Sequence, residues 1–365
     1  MDVLLDGTPM LGHRTGIGQY VTNLYRTLHD RPDVTPRLYA FTIRHGSRPP
    51  DVHPGAWTRR ILPARLLQQL WLTQDRPSAD VLLPRADVLH ATNFTSPPSR
   101  RARRVVTVHD LAFLRLPETV HPQTRRAAEL TIRQARRADA VLTPSAAVAA
   151  EIQEHLGIAG DRVHVTPLGV DDAWAAAAPL AAAERRRLGL PDRYLLAVGT
   201  REPRKNLGAL VAAHRAAGTG RVPPLVLVGP AGWGPEITAD PGVHVLPYLP
   251  AEELRGLVAG ATALVFPSRY EGFGLPALEA MATGTPVLAN DIPVLREVLG
   301  ECGTFVDADD RDALVAALEA VGSGRLEDGD AESARAARRE RARSFTWARC
   351  ADATVAAYRA AGAPD

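Results

Sequence analysis

The chain has 365 residues, of which 45% are hydrophobic and 23% charged, and its formal net charge is +2. This composition is ordinary for a globular protein, and the length suits two domains. So small a charge argues neither for nor against a nucleic-acid partner, and we expect none. No apolar stretch approaches the roughly 20 residues that a membrane-spanning helix needs.

The first residues, Met1-Asp-Val-Leu-Leu-Asp6, lack a basic region and run directly into a predicted strand. A secretory signal would begin with a basic region and continue into a longer apolar one. The sequence therefore predicts no export signal, and we expect a cytoplasmic protein.

Short apolar runs alternate with helical patterns through most of the chain, which predicts parallel sheets with helices on both faces. In the first half, strands are predicted at residues 3–5, 37–42, 88–91, 105–109, 140–144 and 163–167. Helices are predicted there at residues 18–29, 122–137 and 146–156. The fold class is α/β.

The second half repeats this alternation. Strands are predicted at residues 194–198, 225–228, 243–247, 264–267, 286–289 and 304–306. Helices are predicted at residues 207–217, 251–259, 275–282, 294–298, 312–321 and, last, 347–361. A change of composition near residues 170–188 predicts a linker, so we expect doubly wound, Rossmann-like domains at 1–175 and 176–344 and a terminal helical segment at 345–365.

Two glutamates stand eight positions apart around a glycine turn, Glu271-Gly272-Phe273-Gly274-Leu275, and a helix that contains Glu279. The apolar run before them predicts a buried strand, so the turn presents free backbone N–H groups at a helix N-terminus, which suits a phosphate. The carboxylates would lie roughly 7 Å apart along the helix axis at ~1.5 Å per residue. One carboxylate could bind hydroxyl groups on one side of a diphosphate while the other binds hydroxyl groups on the far side. This arrangement is the outline of a nucleotide-sugar.

A second strand, loop and helix carry the chain's single lysine, Lys205, beside Arg204. The loop begins Gly199-Thr200-Arg201, at the carboxyl end of a predicted strand, where ligands of open α/β sheets bind. Lysine and arginine side chains both stabilise a leaving group that gains negative charge. The alternative is a surface basic pair, which would oppose the helix dipole unless an anion were nearby.

Several strand ends in the first half carry further candidates. Gly16 and Gly18 lie in a βα loop without the full dinucleotide fingerprint, and an ordinary loop explains them equally well. His109 and Asp110 end a buried strand, where a core histidine is the alternative. Weaker candidates on the acceptor side are Asn93, Asp110 and Ser145, and Ser145 could instead cap the next helix.

The pair Asp307-Ala-Asp309 matches the Asp-x-Asp of metal-dependent glycosyltransferases. It lies between a strand and a helix, however, so we expect it to form a turn and a helix cap. No cluster of metal-ligating residues appears elsewhere. We expect neither a metal nor another cofactor.

The segment from Phe266 to Gly300, with its Glu-x7-Glu motif, resembles the retaining glycosyltransferases of family 4, which have the GT-B fold. The loop around Lys205 resembles the phosphate-binding Arg/Lys loop of the same family, although Thr200 stands where many members have arginine directly after the glycine. Which arginine accompanies Lys205 therefore stays open.

The resemblance implies two Rossmann-like domains that face each other across a cleft, with the terminal helix crossing back to the first domain. It assigns the donor sugar to Glu271, the ribose to Glu279 and the departing diphosphate to Lys205 with Arg204 or Arg201. The turn from Gly272 to Leu275 and the Gly16–Gly18 loop would approach the donor. His109 would bind the donor sugar near the reacting carbon, and Asp110 would orient the loop or the histidine.

We therefore expect a metal-independent, retaining hexosyltransferase that acts on a nucleoside diphosphate sugar. The loops at Lys205 and His109 look most like those of enzymes that transfer mannose, often from GDP-mannose. UDP- or dTDP-linked donors stay open, as do glycan, lipid-linked and small-molecule acceptors. A lipid-linked acceptor would bring Arg100–Arg104 to the inner membrane face. The alternatives are a GT-B sugar-nucleotide 2-epimerase, a non-catalytic sugar-nucleotide or glycan-binding protein, and a dinucleotide oxidoreductase.

Overall fold

The computed structural model describes residues 1–11, 16–43, 48–94, 96–218, 220–325 and 330–364. The chain divides into two compact units. The first comprises Met1–Leu111, Pro122–Gly169 and Thr346–Asp365, and the second comprises Ala112–His121 and Val170–Phe345.

The first unit is built on a seven-stranded sheet in which every described pairing is parallel. Its strands are β1 Asp2–Asp6, β2 Thr35–Phe41, β3 Trp57–Arg60, β4 Val88–Ala91, β5 Arg103–Thr107, β6 Ala140–Thr143 and β7 Val163–Val165. They lie in the order β3-β2-β1-β4-β5-β6-β7. The chain therefore winds first to one side of β1 and then to the other, which places the switch point between β1 and β4.

The second unit has a six-stranded parallel sheet with the same winding. Its strands are β8 Leu195–Val198, β9 Leu225–Val228, β10 Val243–Leu246, β11 Ala263–Phe266, β12 Val287–Asn290 and β13 Thr304–Val306. The order β10-β9-β8-β11-β12-β13 places its switch point between β8 and β11.

Helices connect the strands, as right-handed parallel crossovers require. In chain order they are α1 Gly16–His29, α2 Ala64–Thr73, α3 Ala79–Leu82, α4 Ala112–Arg115, α5 Pro122–Arg137, α6 Ala146–Leu156, α7 Asp172–Ala175, α8 Ala182–Arg187, α9 Leu207–Ala217, α10 Ala251–Gly260, α11 Leu275–Thr283, α12 Pro293–Leu299, α13 Arg311–Gly322, α14 Ala331–Arg343 and α15 Trp347–Ala360. Within the described ranges, no helix has both the length and the hydropathy of a membrane span.

The terminal helix α15 belongs to the first unit, where it packs against α1, β6 and β7. Its buried side chains recur with helical spacing and form one stripe, namely Trp347, Cys350, Ala351, Thr354, Val355, Ala357 and Tyr358. Thr346 caps the helix by accepting a hydrogen bond from the backbone N–H of Arg349. The stripe explains why this segment is helical and which face it buries.

The division between the units falls after Gly169, a few residues before the predicted boundary at 175. The difference arises because α7 packs on α11 of the second unit and buries Trp174 there. Residues Ala112–His121 also belong to the second unit, although the sequence places them in the middle of the first half.

Candidate active site

The strongest group of predicted residues lies at the switch point of the second sheet. β8 and β11 are neighbours there, and each ends in a turn that leads into a helix, α9 and α11 respectively. The carboxyl ends of these strands therefore bring the Lys205 loop and the Glu271 turn together. Open α/β sheets bind ligands at such points.

Glu271 holds both basic side chains of the neighbouring loop. Its Oε1 accepts a hydrogen bond from Lys205 Nζ at 2.6 Å, and its Oε2 accepts one from Arg204 Nη1 at 3.0 Å. Arg204 also donates to Glu202 Oε1 at 2.7 Å and to the carbonyl of Tyr270 at 2.7 Å. The arginine that shares this carboxylate with Lys205 is thus Arg204.

The positive charges of Lys205 and Arg204 offset the effect of burial on the pKa of Glu271. Glu271 is 6% exposed, and burial alone would raise its pKa. Lys205, and after it Arg204, outweigh that effect and lower the pKa of Glu271 to about 2. The carboxylate is therefore ionised across the physiological pH range, and it fixes two cations beside the helix starts.

Arg201 lies on the other side of the same loop. Its guanidinium donates to the carbonyl of Gly229 at 3.0 Å, and its own carbonyl accepts a hydrogen bond from Gly234 N–H at 2.9 Å. Gly199, with φ of 152°, has the Cε of Lys205 3.6 Å from where a Cβ would lie. Glycine at 199 thus allows the strand to turn while the lysine side chain crosses over it.

The turn from Gly272 to Leu275 leads into α11 through Gly274, which has φ of 99° in the left-handed region. This conformation favours glycine, and a Cβ on Gly274 would also lie 2.8 Å from Leu295 Cδ2 and displace that side chain. Phe273 is 4% exposed and packs edge-on against Phe345. Its side chain belongs to the core, so Phe273 offers only its backbone to a ligand.

Glu279 lies in the second turn of α11 and is 7% exposed. Burial raises the pKa of Glu279 to about 8, with Asp171 adding to the shift and Arg255 opposing it. Its carboxyl group forms no hydrogen bond or ion pair with the residues that the structure describes. A buried carboxyl without a partner is costly for stability, which is typical of functional sites.

In the first unit, His109 follows β5 and is 8% exposed. Its Nε2 lies 2.8 Å from the carbonyl oxygen of Thr92, which can only accept, so Nε2 carries the proton. Burial lowers the pKa of His109, and the neutral ring therefore presents Nδ1 as a hydrogen-bond acceptor. The rings of Tyr20 and Phe94 pack edge-on against it at 5.2 and 5.7 Å.

Thr92, Phe94 and Tyr20 were not predicted from the sequence as site residues. Thr92 and Phe94 flank the predicted Asn93, and Phe94 has φ of 62°, which costs a non-glycine residue roughly 1–2 kcal/mol. Such strain is concentrated at functional sites. Only the neighbouring Asn93 could have drawn attention to the turn.

The other candidates of the first unit occupy different positions. Gly16 and Gly18 form the first turn of α1, and residues 12–15 of the predicted loop lie outside the described residues. Asp110 directly follows His109. Ser145 is fully buried and accepts a hydrogen bond from Val148 N–H, so it caps α6, as the alternative interpretation expected.

The Asp-x-Asp segment forms a turn. Asp307 Oδ1 accepts a hydrogen bond from the backbone N–H of Asp309, and the next residue, Asp310, caps α13. Asp309 accepts hydrogen bonds from Arg269 and from Asn206, so it links this turn to the loop of Lys205. The turn prediction agrees with these contacts, whereas the cap is one residue further along than Asp309.

Comparison with known proteins agrees with this architecture. Residues 14–174 match the family description "Glycosyltransferase Family 4", and residues 192–323 match "Glycosyl transferases group 1". O-antigen chain mannosyltransferase B of Escherichia coli is 30% identical over 98% of this chain and 100% of the relative. MMP alpha-(1->4)-mannosyltransferase of Mycolicibacterium hassiacum is 35% identical over 63% of this chain and 56% of the relative.

Sucrose-phosphate synthase from Thermosynechococcus elongatus has a similar structure, with a TM-score of 0.75 at 22% identity and 98% coverage of both chains. The fold and the two matched regions define a glycosyltransferase of the GT-B class. Within that class, the near full-length similarity to the Escherichia coli enzyme shows that the chain belongs to glycosyltransferase family 4.

Proposed function

We propose that this glycosyltransferase moves a mannosyl group from GDP-mannose to a hydroxyl group of an acceptor glycan, with retention of the anomeric configuration. The observation that carries the chemistry is the cluster of Lys205 and Arg204 on Glu271 at the switch point of the second sheet. Support for mannose comes from the two relatives described above, both of which are named as mannosyltransferases.

In the proposed reaction, the bond between the anomeric carbon and the diphosphate oxygen breaks while the acceptor oxygen bonds to the same face of that carbon. The departing diphosphate takes the acceptor's proton. Lys205 Nζ has three N–H groups and donates one to Glu271, so it can also donate to the phosphate oxygens. Preorganised cations of this kind stabilise the negative charge that develops on a leaving group.

The carboxylates and the histidine have separate roles in the proposal. Glu271 is bound to two cations, so we assign it to holding them and the sugar hydroxyls rather than to nucleophilic attack. Glu279 accepts hydrogen bonds from the ribose hydroxyls. His109 accepts one from a donor-sugar hydroxyl through Nδ1.

Because Lys205 and Arg204 supply the positive charge, the proposal includes no divalent metal. Turnover should then be the same in EDTA as in added magnesium. A loss of activity in EDTA that magnesium restores would refute this part of the proposal.

The donor is tested by thermal stabilisation with GDP, UDP, dTDP, ADP and NAD. A ligand at 100 times its Kd stabilises a protein by about 2.7 kcal/mol. We expect GDP to give the largest shift and GDP-mannose to be consumed with transfer to an acceptor. Release of a sugar epimerised at C2 in place of transfer would favour an epimerase, and a response to NAD alone would favour an oxidoreductase.

The acceptor glycan in this proposal is free or linked to a lipid. For a lipid-linked acceptor we propose that the enzyme binds anionic membranes peripherally, since Arg100, Arg101 and Arg103 are exposed. Sedimentation with vesicles that contain anionic lipid, but not with neutral vesicles, is the expected result. Equal recovery with both would contradict this electrostatic contact.

A further inference from the structure

Asp6 lies at the switch point of the first sheet. It is the last residue of β1, whose neighbours are β2 on one side and β4 on the other. The chain turns away from β1 in one direction and from β4 in the other, which leaves a crevice at their carboxyl ends. Ligands of open α/β sheets bind in this crevice.

Hydrogen bonds connect Asp6 to the catalytic candidate His109. Thr92 follows β4, and its Oγ1 donates to the backbone carbonyl of Asp6 at 2.6 Å. The carbonyl of Thr92 in turn accepts the hydrogen bond from His109 Nε2 at 2.8 Å. The three residues therefore form a row across three adjacent strand ends.

The length of this row suits a sugar. Adjacent strands are ~4.8 Å apart, so the backbones of Asp6 and His109 are separated by roughly 10 Å. Asn93, the predicted acceptor-side residue, directly follows Thr92 in the middle of the row. A sugar ring whose reacting hydroxyl lies near His109 would extend its other hydroxyls toward Asp6.

The chemistry of the Asp6 side chain fits hydroxyl groups. The carboxylate is half-buried, and its hydrogen bonds within the described residues both come from Thr8, one from the backbone N–H at 2.9 Å. An ionised carboxylate can accept about four. Burial raises the pKa of Asp6 to about 6, so a ligand that donates hydrogen bonds would offset part of the cost of its lost hydration.

We propose that Asp6 is a specificity-determining residue that binds hydroxyl groups of the acceptor sugar. This inference rests on the proposed function, because it takes the ligand of the first unit to be the acceptor of mannosyl transfer. A purely structural role is the competing explanation, since Asp6 Oδ1 also stabilises the turn that begins at Thr8.

The substitution Asp6→Asn separates the two explanations. Asparagine keeps Oδ1 as the acceptor for Thr8 N–H, so it preserves the turn while it removes the charge. Asp2→Asn is the matched control, because Asp2 is the first residue of the same strand and lies at the amino end of the sheet, away from Asp6. The experiment follows GDP release from GDP-mannose with and without methyl α-mannoside as the acceptor probe, together with the unfolding midpoint.

We expect Asp6→Asn to raise the KM for methyl α-mannoside by about tenfold or more, as loss of charge-assisted hydrogen bonds does. GDP release without the probe and the unfolding midpoint should match the wild type, and Asp2→Asn should match it throughout. An unchanged KM for the probe, or equal losses of stability and of both activities, would overturn the role of Asp6.

The same experiment distinguishes failure of this inference from failure of the proposed function. A wild-type enzyme that releases GDP but does not transfer mannose to the probe would overturn the assignment of Asp6 to a mannoside acceptor and leave the donor in place. A wild-type enzyme that is inert toward GDP-mannose would overturn the proposed function itself, and this inference with it.

Discussion

At the scale of single residues, two contacts fix the chain's single lysine. The ammonium group of Lys205 lies 2.6 Å from Glu271 Oε1 and 5.2 Å from the centre of the Phe266 ring. Phe266 is the last residue of β11 and Glu271 lies in the turn that follows it. The second sheet therefore fixes the position of the Lys205 charge. The proposed stabilisation of the leaving diphosphate depends on this ammonium group together with the guanidinium of Arg204.

Replacing Lys205 by alanine should therefore lower kcat by on the order of 100-fold, as loss of one preorganised donor does in other enzymes. Arg221→Ala, which removes an exposed cation from the same unit, is the control and should leave kcat unchanged. Steady-state kinetics with GDP-mannose measures both variants. Near-normal turnover of Lys205→Ala would remove this residue from the mechanism.

The raised pKa of Glu279 predicts how the stability of the protein depends on pH. Its pKa in the folded protein is about 8, above the value of 4.5 for an unperturbed glutamate, so between these values the unfolded chain binds fewer protons. Stability from this group therefore falls as pH rises from about 4.5 to 8. Glu279→Gln removes the titration and should gain stability over the wild type by a few kcal/mol at pH 8, but little at pH 5.

Chemical denaturation of the Glu279→Gln variant and the wild type at both pH values measures this difference. An equal free-energy gap at pH 5 and pH 8 would contradict the raised pKa.

At the scale of elements, a buried polar chain holds α15 in the first unit. Tyr358 Oη lies 2.7 Å from His90 Nδ1, and His90 Nε2 lies 2.7 Å from Thr107 Oγ1. Thr107 Oγ1 is also 3.1 Å from Tyr20 Oη, and the Tyr20 ring packs on His109. Burial lowers the pKa of His90 to about 3, so the ring is neutral and donates through one nitrogen only.

Tyr358→Phe should destabilise the protein by about 1–3 kcal/mol, because it leaves a buried nitrogen of His90 unpaired. Tyr25→Phe is a matched control in α1: the Tyr25 hydroxyl is buried and has no hydrogen-bond partner among the described residues. Urea denaturation should show a loss for the first variant and none for the control. Equal effects would mean that the Tyr358 hydrogen bond contributes nothing to docking α15.

Gly169 is required where the chain leaves the first unit. A Cβ there would lie 2.2 Å from the backbone nitrogen of Trp347, an atom that cannot rotate away. Gly169→Ala should cost about 3 kcal/mol by overpacking at the start of α15. Gly208→Ala in α9, where a Cβ would meet no atom within 4 Å, should instead stabilise by roughly 0.5–1 kcal/mol. Similar melting temperatures for the two variants would contradict the packing at Gly169.

Most strands and long helices could be predicted from sequence because their apolar residues follow a strand or helix period. The strand β3, Trp57–Arg60, was missed because it pairs only with β2 at the sheet edge and is largely polar. β5 begins at Arg103 rather than at the predicted residue 105, because its first two residues pair with β4 while carrying arginine side chains.

The helix α14 was missed because its sequence shows no apolar stripe from which a packed helix could be predicted. Its arginines donate to backbone carbonyls instead. Arg338 Nε bonds to the carbonyl of Gly284, just after α11, and Arg341 Nε bonds to that of Val298 in α12. Cations at helix C-termini are favourable electrostatically, but they leave no hydrophobic pattern in the sequence.

At the scale of the whole molecule, the site residues that could be predicted are those that lie in short sequence motifs. Glu271, Glu279, Lys205 and Arg204 belong to two strand–turn–helix segments that each show their chemistry in a short motif. Their meeting, however, depends on β8 and β11 being neighbours, although more than 60 residues separate the segments. That the two segments share one site could be predicted from the sequence only through the resemblance to family 4.

Asp6 and Thr92 could not be predicted in this way, because neither lies in a recognisable motif. They come together only through the pairing of β1 with β4. The same pairing supports the inference about Asp6 and the acceptor.

The linkage that the enzyme makes from GDP-mannose and methyl α-mannoside tests retention and the donor together. The one-bond carbon–proton coupling at the new anomeric centre, measured by NMR, distinguishes an α- from a β-mannoside. The donor is α-linked, so we predict an α-linked disaccharide. A β-linked product would contradict retention, and the absence of any product with GDP-mannose, when another nucleotide-sugar supports transfer, would contradict the proposed donor.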